Sequence, residues 1–260
     1  MNKFLANLAD RMVLRPSTDP IDPEDRQRVL MPFAGGHLEA WTNEVHQHSN
    51  SPKLLALKFP GTGGRAERAG PHPCELWPEF SSTIWTINAA GYGGSNGSAS
   101  LATMPAQAEA VFSFVRKELP DHKILLTGNS LGCISALYLA ARHDVAGVFV
   151  RNPPPLQQLI AGRLKYNWWN FGMARFVAAQ VPSELDSIAN AARCTCPAFF
   201  LRSEKDTVVP AAFQRRIIDA YAGDLQEFII LGAEHDEFVA EKDFDAYQEE
   251  MMTFKEKWAS

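Results

Sequence analysis

Short apolar runs of strand length alternate along this chain with segments whose apolar residues recur every three or four positions. That rhythm predicts an α/β protein, a mostly parallel central sheet with helices on both faces. Val29–Ala34 and His37–Thr42, separated by Gly35-Gly36, read as a hairpin, because paired glycines accept the positive φ of a tight turn. Further strands are expected at Leu54–Phe59, Ser82–Ala89, Lys123–Thr127, Val145–Val150, Ala198–Arg202 and Glu227–Leu231. Helices are expected at Met104–Leu119, Leu131–Arg142 and Ala211–Ala222, and a last one runs through Tyr247, Met251, Phe254 and Trp258. Between Leu156 and Ala192 the rhythm breaks. That stretch, rich in aromatic residues, is read as a short helical cap inserted within a single domain spanning residues 1–260.

Composition narrows the class. The chain has 260 residues, 46% of them hydrophobic, which suffices for one sizeable core. Its 25 basic and 30 acidic residues are interspersed, without the cationic cluster that nucleic-acid binding needs. No apolar run approaches the roughly 20 residues of a membrane span. The N-terminal segment carries an amphipathic stripe of Phe4, Leu5, Leu8 and Met12 rather than the continuous apolar core of a secretory signal. Packing of this stripe on the domain is favoured over peripheral membrane contact, and a cytoplasmic location is expected. Cys74, Cys133, Cys194 and Cys196 form neither a disulfide framework nor a zinc pattern and are read as free thiols.

Gly128-Asn129-Ser130-Leu131-Gly132 fits G-x-S-x-G. Five residues alone would fit a serine capping a helix equally well. The apolar strand before them and the apolar helix after them favour a nucleophile held on a sharp strand-to-helix turn. Such a serine needs a base, and the base needs an orienting carboxylate. His235 follows the last strand, and no other histidine lies beyond residue 143. Asp206, in the loop Ser203–Pro210 after the preceding strand, is the favoured acid, with Glu204 as the alternative. The oxyanion formed in acyl transfer calls for backbone N–H donors. Leu131 supplies one, and Thr62, in the glycine-rich loop Pro60–Gly64, is favoured over Gly63 for the other. Tyr92, Trp168, Trp169 and Phe238 are candidate substrate-lining residues, the two tryptophans in the cap. Packing of those rings onto the domain is the equally weighted alternative.

These motifs resemble the α/β-hydrolase superfamily. The resemblance runs from about residue 29 to the C-terminus and adds Ala90-Gly91-Tyr92-Gly93-Gly94-Ser95-Asn96-Gly97, similar to R-G-Y-G-x-S-x-G, and Asp206-Thr207-Val208-Val209-Pro210. Within the superfamily the chain looks most like the BEM46-like proteins and the ABHD17-type and ABHD13-type hydrolases. Pro60 replaces a histidine usual in that branch, Ala89-Ala90 replace an aspartate and an arginine, and Cys133 replaces a glycine. None of these changes removes a reacting group. The resemblance implies a serine hydrolase acting on a small-molecule ester or thioester, without metal or organic cofactor. A peptidase, amidase or acyltransferase on the same scaffold, and a non-catalytic binding protein, are the other readings.

Overall fold

The structure, a computed structural model, describes residues 3–49, 51–163 and 174–259. Its strands are β1 (Gln27–Phe33), β2 (Gly36–Val45), β3 (Lys53–Phe59), β4 (Ser81–Asn88), β5 (Lys123–Asn129), β6 (Gly147–Arg151), β7 (Ala198–Ser203) and β8 (Leu225–Ile230). They form one eight-stranded sheet in the order β1-β2-β4-β3-β5-β6-β7-β8. β2 pairs antiparallel with both β1 and β4, and every other neighbouring pair is parallel. Its helices are α1 (Lys3–Val13), α2 (Met104–Glu118), α3 (Gly132–Ala140), α4 (Leu156–Arg163), α5 (Ser187–Ala191), α6 (Ala211–Ala220) and α7 (Phe244–Ala259).

The parallel strands are apolar on both faces because helices cover both. Successive side chains point to opposite sides. Leu55, Leu57, Ile124, Leu126, Val148, Val150 and Phe200 therefore pack with α2, α3 and α6. Their neighbours Leu54, Ala56, Leu125, Phe149, Phe199 and Leu201 pack with Tyr247, Met251, Phe254 and Trp258 of α7. Each fully buried leucine on these strands contributes about 2 kcal/mol.

A third apolar cluster lies above one end of the sheet. Leu5, Leu8, Met12 and Val13 of α1 pack against Leu131, Ile134, Leu156, Ile160 and Val177. The N-terminal stripe is thus mostly spent on the protein itself, although Phe4 remains 74% exposed. Between β6 and β7 the described residues hold α4, a helical turn at 174–178 and α5, in place of a simple crossover. No helix among the described residues is long and apolar enough to cross a membrane.

The hairpin turn sits one residue earlier than expected. Phe33 pairs with Gly36, so Ala34 and Gly35 are the central residues, with φ of 48° and 80°. Gly36 belongs to β2, where a Cβ would lie 2.7 Å from the Asn96 side-chain oxygen. One glycine of the pair serves the turn, the other a close approach.

Candidate active site

β5 runs into α3 through Ser130, whose φ of 48° is left-handed and strained for a non-glycine residue. A Cβ at Gly128 would lie 2.5 Å from the Cys133 Cα, and one at Gly132 would lie 1.9 Å from the Phe59 carbonyl oxygen. Both glycines of G-x-S-x-G are therefore sterically required for strand and helix to meet this closely. The turn is tied down by the Ser130 amide, which donates to the Arg151 carbonyl at 2.8 Å. Cys133 is fully buried behind the turn, its thiol against the Gly128 and Arg151 carbonyls, and burial pushes its pKa up. It is packed away from the cavity that Ser130 faces.

Asp206 and His235 follow β7 and β8, at the same edge of the sheet as Ser130. The Asp206 carboxylate is buried and held from several sides. Its Oδ1 accepts from the amides of Val208 and Val209, at 2.8 and 2.7 Å, and its Oδ2 accepts from Gln214 Nε2 at 3.1 Å. Oδ2 also faces His235 Nδ1 at 2.7 Å, and His235 Nε2 lies 3.0 Å from Ser130 Oγ. A carboxylate only accepts, so Nδ1 carries the ring proton and the neutral Nε2 is left to accept from the Ser130 hydroxyl. Glu204 is engaged elsewhere: its carboxylate accepts from the Gly232 amide at 2.7 Å.

Two residues outside the sequence-based site place the imidazole. Asn152 is fully buried at the end of β6, and its φ of 50° suits asparagine better than most residues. Its Nδ2 donates to the His235 carbonyl and to Ser203 Oγ, both at 3.0 Å, while its Oδ1 accepts from the Ser203 amide at 2.8 Å. Arg151 Nη2 donates to the His235 carbonyl at 3.0 Å and to the Glu237 carbonyl at 2.6 Å. Together they tie the loop after β8 to the ends of β6 and β7. The signal in the sequence was an asparagine between a strand and three prolines.

Ser130 and His235 open on a cavity of about 280 Å³ whose wall also includes Thr62 and Leu131. Thr62 is a central residue of a turn closed by the Gly64 amide on the Gly61 carbonyl at 2.9 Å, with Gly63 at a φ of 72°. The central amides of such a turn lie outside its own hydrogen bond. Apolar lining comes from Met12 and Val13 of α1, Leu159 and Ile160 of α4, and Val208 and Val209 beside Asp206. Tyr92 and Phe238 are not in this wall. Tyr92 is buried with its hydroxyl accepting from the Arg15 amide at 3.0 Å, and Phe238 packs edge-on against His72 and Tyr247. Trp168 and Trp169 lie outside the described residues. Among the described residues, no group of three His, Cys, Asp or Glu side chains is placed to hold a metal.

Strand order, the serine turn after β5 and the histidine loop after β8 together define the α/β-hydrolase fold. The comparisons agree at that level. The esterase Pf2001 of Pyrococcus furiosus superimposes with a TM-score of 0.67 over 95% of this chain and 97% of that one, at 14% identity. Rv2307c, an uncharacterized protein of Mycobacterium tuberculosis, is 23% identical over 243 residues, covering 90% of this chain and 83% of the relative. The α/β-hydrolase domain-containing protein aho-3 of Caenorhabditis elegans is 24% identical over 183 residues, 70% of this chain and 51% of that protein. No family model matches.

Proposed function

We propose that the chain is a serine hydrolase that cleaves a small carboxylic ester or thioester through an acyl-serine intermediate. The observation that carries this reading is the relay in which His235 bridges Ser130 Oγ and Asp206 at 3.0 and 2.7 Å. In the first half-reaction Ser130 Oγ attacks the carbonyl carbon as His235 Nε2 takes its proton. Asp206 holds the imidazole in the required tautomer and stabilises its charged form. The amides of Leu131 and Thr62 receive the oxyanion, each worth about 3 kcal/mol of barrier. The protonated His235 then delivers its proton to the departing alcohol or thiol. In the second half-reaction water adds to the acyl group under base catalysis by the same imidazole, and Ser130 is released.

The aliphatic lining from α1, α4 and the Val208–Val209 pair supports an apolar acyl or alcohol group beside the serine. Within the fold we read the chain beside the BEM46-like branch, on the motifs at 90–97 and 128–132. Labelling with a fluorophosphonate probe tests the reading. A covalent adduct on Ser130, lost in Ser130→Ala, together with hydrolysis of p-nitrophenyl esters that the variant lacks, is the expected result. An unlabelled serine and inert esters would leave a binding protein.

A further inference from the structure

Behind the loop that carries Thr62 lies a second cavity, of about 430 Å³. It shares Gly61 and Asn129 with the wall of the Ser130 cavity. Lys58, Arg65, Arg68 and Arg151 line it, and no carboxylate does among the described residues. Arg65 is already neutralised, since its guanidinium is paired with the buried Glu67. The other three form no salt bridge among the described residues, although Glu75 acts on Lys58, and Asp236 and Asp206 on Arg151, from outside the wall. Arg68 is exposed, and its guanidinium has no partner among the described residues. Arg151 spends Nη2 on two backbone carbonyls and leaves Nη1 and the buried Nε without a partner among those residues. Lys58 Nζ donates to the carbonyls of Gly70 and His72, both at 2.7 Å, so its hydrogen bonds go to neutral groups. Burial lowers its pKa to about 8, against an opposing pull from Glu75. The carboxylate that acts on Lys58, Glu75, is itself engaged by His72 Nδ1 at 3.0 Å.

These three cationic side chains line the cavity with no carboxylate among the described residues of its wall, and a bound anion takes up the donors they leave free. Guanidinium groups offer the forked donors that match a carboxylate or a phosphate. Phe149 and Phe238 add an apolar wall to the same space. We propose that this cavity binds an organic anion, a small molecule ending in a carboxylate or phosphate, with Arg68 and Arg151 holding the charged group over Lys58. The apolar part of the ligand lies against the two phenylalanines. Resting on the reading of Ser130 as nucleophile, the shared wall at Gly61 and Asn129 makes this the berth for the charged end of a substrate.

The test is calorimetric titration of the Ser130→Ala protein with glutarate, inorganic phosphate and the uncharged glutaramide. Saturable binding of glutarate or phosphate with a dissociation constant of about 1 mM or tighter is expected, with none for glutaramide. The preferred anion identifies the source of the charge. Adding Arg68→Gln or Lys58→Met weakens binding about tenfold or more. Arg68 is exposed and without a partner, so its substitution leaves the fold intact even where loss of Lys58 destabilises it. The proposal falls if neither anion saturates below about 10 mM, if glutaramide binds as well, or if Arg68→Gln binds as tightly as its parent. Binding is read without turnover, so fluorophosphonate labelling of the unaltered chain decides the role of Ser130 separately.

Discussion

Replacing Asn152 with alanine separates the groups that react from those that hold them in place. The substitution removes the donor to the His235 carbonyl and the acceptor for the Ser203 amide. Ser203 is fully buried, so its orphaned amide costs about 2 kcal/mol. Alanine must also adopt the left-handed backbone that Asn152 holds, at about 1 kcal/mol more. A loss of about 3 kcal/mol in a chain of this length lowers the melting temperature by about 10 °C. Activity should suffer separately. The His235 carbonyl keeps its bond from Arg151 but loses its tie to β7, and a shift of about 1 Å in the imidazole costs up to about a hundredfold. Initial rates on a p-nitrophenyl ester should therefore fall in kcat with little change in KM, and fluorophosphonate labelling of Ser130 should slow in proportion. Asn152→Gly is the companion variant: it accepts the backbone freely and loses the same hydrogen bonds. Its kinetics should match those of Asn152→Ala. Wild-type kcat and labelling rate in both variants would refute a positioning role for Asn152, whatever happened to stability.

Asp206→Asn should keep the fold, because an amide oxygen still accepts from Val208 and Val209, yet lower kcat by about three to four orders of magnitude in ester hydrolysis. Gly132→Ala should yield little folded protein by circular dichroism, because the added methyl would collide with the Phe59 carbonyl of a buried strand; a soluble variant melting within about 3 °C of wild type would contradict the packing described. Lys58 has a folded pKa of about 8, below its ordinary 10.5, so the unfolded chain binds that proton more tightly and stability rises with pH between those values. Urea titrations of wild type and Lys58→Met from pH 7.5 to 10.5 should show the wild type gaining relative to the variant as pH rises.

The meeting of Ser130, Asp206 and His235 was legible because each stands just beyond a strand, and parallel strands bring their C-terminal ends to one edge whatever lies between them. Asp206, and not Glu204, faces the imidazole for a reason of local geometry. Asp206 is short enough to accept two amides of its own loop while facing the imidazole, whereas Glu204 reaches outward to Gly232. Asn152 and Arg151 stayed hidden for the opposite reason. Their partners in the histidine loop are backbone carbonyls more than 80 residues away, and a carbonyl leaves no mark in a pattern of side chains. The slip in the hairpin is of the same kind. Asn96 claims the space beside Gly36 from a distant loop, and the turn moves onto Ala34.

The N-terminal helix shows how a local pattern can be read correctly and its use missed. Its apolar stripe predicted packing on the domain; Leu5, Leu8 and Met12 are half-buried against Leu131, Leu156 and Ile160, while Phe4 stays exposed. Those partners belong to the serine turn and to the segment between β6 and β7, so the helix roofs the cavity that Ser130 opens into. Met12 and Val13 then stand in its wall, about 120 residues from the serine in sequence. The apolar part of the described lining is aliphatic, drawn from α1, α4 and the Asp206 loop, and Arg15 and Asp236 stand in the same wall. A wall of unbranched and branched aliphatic side chains adapts to an acyl chain without fixing its orientation, since dispersion contacts carry no direction. Direction must then come from polar groups in the same wall, among them Ser130, His235, Arg15 and Asp236.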